Sequence, residues 1–356
     1  PDEQKIAAPK ITPIVTNRDS QSEFLSEIQT SQVQPIEPVF VDYKKDMSQF
    51  EAQPGIDVLY KKNETNDIFT LIYVFNTGTE NDPALNLAFN YLSYLGTDKM
   101  TAEEIASEMY DIACSFYMNA GANQSSIQIT GLSENMGKAM EIVEGLIAGA
   151  KHDEAILENC KADMLKSRAD AKLNQSRCFG ALQRYLFYGG DFIRRTTLTD
   201  PALQALTSEQ LLAKIGGLMG KQHEVLYYGP QKEAEVKSAL AEHHKVAADL
   251  QPLEKKFSTL LPTDANKVVL AQYDAKQLYY LQFSNRGEKF DVAADPEITL
   301  YNEYFGGGMN TIVFQEMREA RGLAYTAWAT LATPSNANGD YSYYAFIATQ
   351  NDKMQK

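Results

Sequence analysis

Two spacings of apolar residues alternate along the chain. Ile56–Lys62 and Ile68–Asn76 are short runs rich in Ile, Val, Tyr and Phe, which predict strands. Asp82-Pro83 then predicts a helix, with Asp at its cap and Pro in its first turn, running to about Tyr94 and stopping at Gly96. Thr101-Ala-Glu-Glu104 has the spacing of a capping box and starts the next helix. Strands are expected near Ser115–Ala120 and Ser125–Thr130. Ser133 opens a helix to about Lys151, because Met136, Met140, Ile142, Val143, Leu146 and Ile147 fall on one face. A long helical segment covers about Asp153–Tyr188, and Thr207-Ser-Glu-Gln210 caps another helix. His223–Tyr228 reads as a strand and Gln231–His244 as a helix. After a Pro/Lys/Leu connector over 245–263, strands are expected at Lys267–Tyr273 and Gln277–Phe283.

The following stretch repeats the first. Asp295-Pro296 opens a helix ending in Tyr304-Phe305-Gly306, as Asp82-Pro83 opens one ending in Tyr94-Leu95-Gly96. Glu316-Met317 answers Glu108-Met109, and Tyr325 starts a strand as Tyr117 lies in one. The order two strands, two helices, two strands thus recurs about 210 residues later, which points to two copies of one module. Strands segregated from helices in this way predict an α+β fold: two homologous domains, each a mainly antiparallel sheet with helices over one face. Residues 1–37, with Pro1, Pro9, Pro13 and Pro35 among polar residues, read as a linker or hinge without regular elements. The first domain is expected over 38–248 and the second over 249–356. The second is expected to be truncated, because the chain stops soon after the predicted strand Tyr341–Thr349, where the first copy goes on to further helices.

Composition narrows the function classes. A length of 356 residues suggests about two domains, and 44% hydrophobic residues excludes a disordered chain. No apolar run reaches the roughly 18 residues of a membrane-spanning helix. With 33 basic against 47 acidic residues, the net charge of −14 argues against nucleic acid as a partner. Cys114, Cys160 and Cys178 form no C-x-x-C pair and read as small apolar fillers. The opening Pro1-Asp2-Glu3 has neither Met nor a leader-like apolar run, as expected of a processed or trimmed start.

Self-contained chemistry is scarce. His152, His223, His243 and His244 include no pair three or four residues apart and no H-x-x-E-H or its inverse, and they are expected at the solvated surface. There is no G-x-S-x-G nucleophile motif. Gly306-Gly307-Gly308 precedes a helix, but no G-K-[ST] follows, so a tight helix–helix turn is expected rather than a phosphate loop. Taken alone, Arg318 could pair with Glu316 or Glu319 along a helix surface, and Tyr325 could be an ordinary half-buried strand residue.

The run Gly306-Gly-Gly-Met-Asn-Thr-Ile-Val-Phe-Gln-Glu-Met-Arg-Glu-Ala-Arg-Gly-Leu-Ala-Tyr325 is more specific. Here the chain resembles the pitrilysin/insulinase family of zinc metallopeptidases, in which a G-G-G-M-x-S-x-L-F-x-E-x-R-x-x-x-G-L-A-Y-like stretch recurs. The resemblance extends from about Pro38 to the end and implies the domain architecture of pitrilysin and the mitochondrial processing peptidases. It also implies a clam-like chamber of two halves, one of which carries zinc on H-x-x-E-H and a distant Glu. Matching the helix ends at Gly96-Thr97 puts that motif on Leu87-Ala88-Phe89-Asn90-Tyr91, with Leu87 and Tyr91 at the ligand positions and Asn90 at the base. The distant Glu falls within about Lys161–Arg168, which contains none.

The resemblance therefore implies the C-terminal, non-zinc half, inactive alone. No metal is expected in this chain, and zinc is expected on a zinc-bearing N-terminal half or subunit. Arg318 and Tyr325 match the Arg and Tyr, seven residues apart, that this half offers to the facing zinc site. Small or unfolded peptides are the implied substrates. The alternative is a non-catalytic scaffold or partner subunit of a two-chain relative. A bacterial periplasm or envelope is favoured over cytoplasm or mitochondrion.

Overall fold

The computed structural model describes residues 20–253 and 257–353. Its first unit ends at Tyr43 and, among the described residues, holds one helix, α1 (Glu23–Thr30), which Ser22 caps by accepting the Leu25 amide at 3.2 Å. The expected linker thus carries a helix that its prolines hid from view. Residues 1–19 of that linker lie outside the described residues.

The second unit begins with β1 (Ser48–Gln53), β2 (Ile56–Lys62) and β3 (Ile68–Phe75). Helices α2 (Leu85–Leu92) and α3 (Ala102–Asp111) follow, and the Thr101–Glu104 capping box forms as expected. Asp82 does not cap α2. Its carboxylate accepts the Ala84 amide at 3.0 Å and so caps the turn before the helix. Next come β4 (Cys114–Ala120), β5 (Ser125–Leu132), α4 (Met136–Gly149), α5 (Glu154–Lys172), α6 (Gln175–Thr196), α7 (Asp200–Ala205), α8 (Ser208–Leu218), β6 (His223–Gly229) and α9 (Glu233–His243).

The six strands form one sheet in the order β1-β2-β6-β3-β5-β4, antiparallel except for the β2–β6 pair. Alternation decides its inner face. Phe69, Leu71, Tyr73 and Phe75 of β3 are buried, beside Val225 and Tyr227 of β6 and Ile127 and Ile129 of β5. Leu87 and Tyr91 of α2 and Met136, Met140 and Val143 of α4 join the same core. Burying each such side chain stabilises by about 1.5–3 kcal/mol. The class is α+β, as expected.

The second sheet is smaller. It contains β7 (Gln277–Ser284), β8 (Ala324–Ala332) and β9 (Ser342–Gln350) in the order β7-β9-β8, all antiparallel. Between β7 and β8 lie α10 (Asp295–Phe305), a helical turn at Ile312–Phe314 and a π-helix at Gln315–Ala320. The expected strand at Lys267–Tyr273 does not form. In the first sheet β2 is held between β1 and β6, and among the described residues no such neighbour exists here, so Val268 and Leu270 stay exposed. Helix α6 supplies the aromatic layer of this sheet. Phe179 meets Tyr279 and Phe346 at 5.5 and 5.9 Å, and Phe187 meets Phe283 and Tyr344 at 4.7 and 5.4 Å.

Two histidines expected at the surface are instead in the core. His223 and His244 are buried, with their Nε2 atoms 2.9 Å apart. His244 Nδ1 lies 2.7 Å from Glu144 Oε1, which also accepts the Tyr73 hydroxyl at 2.8 Å, while Glu144 Oε2 accepts the Lys245 amide at 2.6 Å. The partners assign the protons. His223 Nδ1 faces the Lys221 carbonyl oxygen at 2.8 Å and so donates; its Nε2 then accepts a hydrogen bond from His244 Nε2. Desolvation is the main cause that lowers the His223 pKa to about 4.

The sign follows from that depression. The native chain binds fewer protons at His223 than the unfolded chain between pH 6.5 and about 4, so this contribution is present above pH 6.5 and is lost as pH falls through that window. Chemical denaturation from pH 6.5 to 4 is expected to show the wild type losing on the order of 3 kcal/mol more than His223→Gln, which keeps a donor and an acceptor but does not titrate. Parallel losses in the two proteins would refute the assignment.

Candidate functional site

The segment joining α10 to β8 departs from regular geometry at each step. Gly306 caps α10 where any Cβ would collide with the backbone of Ala329, so the first glycine of the triple serves close helix–strand approach. Thr311 closes the glycine turn by donating its hydroxyl to the Gly308 carbonyl oxygen at 2.7 Å. The π-helix ends at Ala320 and is followed by Gly322, whose φ is +57°. The Leu323 amide reaches back to the Met317 carbonyl at 2.9 Å, and the Gly322 amide to that of Arg318 at 3.1 Å. The β8–β9 register then shifts between Ala324 and Thr326, which makes Tyr325 the extra residue of a β-bulge.

These departures set the two expected site residues against each other. The Arg318 guanidinium carbon lies 4.4 Å from the centre of the Tyr325 ring and 4.7 Å from that of Phe314. Tyr325 is 74% exposed, not the half-buried aromatic that an ordinary strand would give. Arg318 Nε is 3.4 Å from Glu319, whereas Glu316 pairs with Arg321. Among the described residues the Arg318 guanidinium has its ion pair with Glu319. The bulge and the π-helix were not visible as sequence patterns. The Phe314–Arg318 spacing of four residues was a signal for their contact.

The degenerate zinc positions are placed differently. Leu87 and Tyr91 are fully buried in the core, and Asn90 is exposed. The Tyr91 hydroxyl accepts the Asp153 amide at 2.9 Å, lies 3.1 Å from the Asp153 carbonyl oxygen and contacts Ser208 Oγ at 2.5 Å. His152 Nδ1 approaches the same Ser208 Oγ at 3.1 Å. Tyr91 therefore bolts α2 to the starts of α5 and α8. Lys161, within the stretch matched to the distant Glu, is buried with its ammonium on Glu158 at 2.8 Å and the Gln204 carbonyl at 3.1 Å. A leucine, an asparagine, a tyrosine and a lysine do not fit zinc, which takes thiolate, imidazole and carboxylate ligands. Among the described residues no group of three or more His, Cys, Asp or Glu could hold a metal ion.

An uncharacterised zinc protease of Streptomyces coelicolor is 22% identical over 266 residues, covering 69% of this chain and 56% of that protein. One from Rickettsia bellii is 23% identical over 278 residues, covering 74% and 63%. The chain thus spans roughly three-fifths of the length of these relatives. No family model matches it. Among solved structures, the peptidase M16 inactive domain of Pseudomonas fluorescens superposes with a TM-score of 0.69 at 18% identity, over 85% of this chain and 74% of that one. The chain has the peptidase M16 fold. The periplasmic protease PqqL of Escherichia coli shares it, with a TM-score of 0.72 at 14% identity, over 99% of this chain and 38% of PqqL. The resemblance to pitrilysin-like zinc proteases carried by Gly306–Tyr325 therefore stands, and M16 neighbours include a domain named as inactive.

Within this M16 fold, the Tyr91 hydroxyl is structural. Tyr91→Phe is expected to destabilise the chain by about 1–3 kcal/mol in a denaturant titration, since it leaves the Asp153 amide and the buried Ser208 hydroxyl short of a partner. An unchanged midpoint would contradict the bolt.

Proposed function

We propose that the chain is the non-zinc half of a pitrilysin-like zinc metalloendopeptidase. In this reading it completes the peptide-binding chamber and offers Arg318 and Tyr325 to a zinc site on the other half, with the division between its own two modules near residue 248. The observation that carries the reading is the Arg318–Tyr325 pair, with Arg318 on the π-helix and Tyr325 on an exposed bulge, within the segment that matches the family motif. The non-ligating residues at Leu87, Asn90 and Tyr91 support it, as do relatives named zinc protease.

Zinc on the facing half would polarise the scissile carbonyl and supply an activated water. This chain's residues would do the rest of the positioning. The Tyr325 hydroxyl donates a hydrogen bond to the carbonyl oxygen as charge builds on it, an interaction that strengthens towards the transition state. The Arg318 Nη edge, which does not titrate, holds a neighbouring peptide carbonyl or carboxylate in its plane. Small or unfolded peptides are the substrates of this reading. A periplasmic location belongs to it too, by likeness to PqqL, which is named a periplasmic protease.

Two outcomes test the reading. The chain alone is expected to bind no stoichiometric zinc and to cleave no peptide. Combined with its zinc-bearing half, Tyr325→Phe and Arg318→Ala should each lower kcat at least about tenfold. Full activity in both variants would favour a scaffold role, and chelator-sensitive cleavage by the chain alone would overturn the assignment of halves.

A further inference from the structure

We infer that Phe314 is a positioning residue for Arg318. The inference rests on the reading that Arg318 acts at a facing zinc site, and it asks what keeps that side chain available. An arginine has many rotamers to lose, and carboxylates lie within its reach. Glu319 already sits 3.4 Å from Nε, and Glu316 lies two residues away on the same segment. A guanidinium free to move would fold onto these acids and turn its Nη edge away from any peptide.

The rings oppose that collapse. Phe314 is only partly buried, so its ring is not spent on the core; its charged neighbour is the Arg318 guanidinium at 4.7 Å. Tyr325 holds the same group at 4.4 Å. A stacked guanidinium keeps its N–H groups in its own plane, directed away from the rings. The backbone fits the purpose. Helical hydrogen bonding changes from α to π immediately after Phe314, and the π-helix carries Arg318. Such π segments are frequent at functional sites. Phe314 touches no reacting atom in this scheme and acts through Arg318.

The test uses the chain assembled with its zinc-bearing half, with Phe314→Tyr, Phe314→Leu, Phe314→Ala and the double variant Phe314→Ala/Arg318→Ala. Phe314→Tyr keeps the π face and is expected to stay within about twofold of wild-type kcat. Phe314→Leu keeps apolar bulk without the face and should lose about 5- to 30-fold, as should Phe314→Ala. The double variant should be no slower than Arg318→Ala alone, since the ring works only through the guanidinium. Full activity in Phe314→Leu would reduce Phe314 to packing, and additive losses in the double variant would show a separate role; either result overturns the inference. If Arg318→Ala itself costs nothing, the functional reading fails and this inference with it. If Arg318→Ala is costly and the Phe314 variants are not, only the inference fails. NMR of the chain alone gives a readout independent of catalysis: ring-current shifts of the Arg318 δ-methylene should be retained in Phe314→Tyr and diminished in Phe314→Leu, and equal shifts in both would overturn the clamp.

Discussion

The apolar face of the six-stranded sheet has to be covered, and most of the first module follows from that constraint. Every second residue of β2, β3, β5 and β6 points to this face, and α2 and α4 are laid over it. The same requirement settles the chemistry of α2. Leu87 and Tyr91 face inward and join the core, so the positions that the resemblance matches to zinc ligands serve packing here. The hydroxyl of Tyr91 is then an obligation of burial, met by Asp153 and Ser208.

The candidate site obeys the opposite logic. It is built where regular geometry lapses: a glycine pressed against a strand, a π-helix, a glycine at positive φ and a bulge. A regular β8 would have given Tyr325 a paired, half-buried place. The bulge releases it to the surface beside Arg318. The Glu319 carboxylate and an aromatic clamp then compete for the one guanidinium.

What could be read from sequence was local. The Thr101 and Thr207 capping boxes lie within four residues, and both form. Strands at β2, β3, β5 and β9 announced themselves by composition. What could not be read depended on partners far along the chain. His244 meets Glu144 across 100 residues and His223 across 21, so a solvated pair was the expectation and a buried network the outcome. Lys267–Tyr273 has strand composition without a neighbouring edge, and composition alone does not supply one. Arg318 and Tyr325 were legible through the motif around them, whereas the bulge that displays Tyr325 was not.

The aromatic layer donated by α6 has a consequence for how the second sheet is held. Phe179 and Phe187 come between β5 and β6 of the first sheet in the chain, yet they roof the second sheet. The three-stranded sheet thus has a borrowed lid: without α6, four rings of β7 and β9 would lose their cover at one stroke.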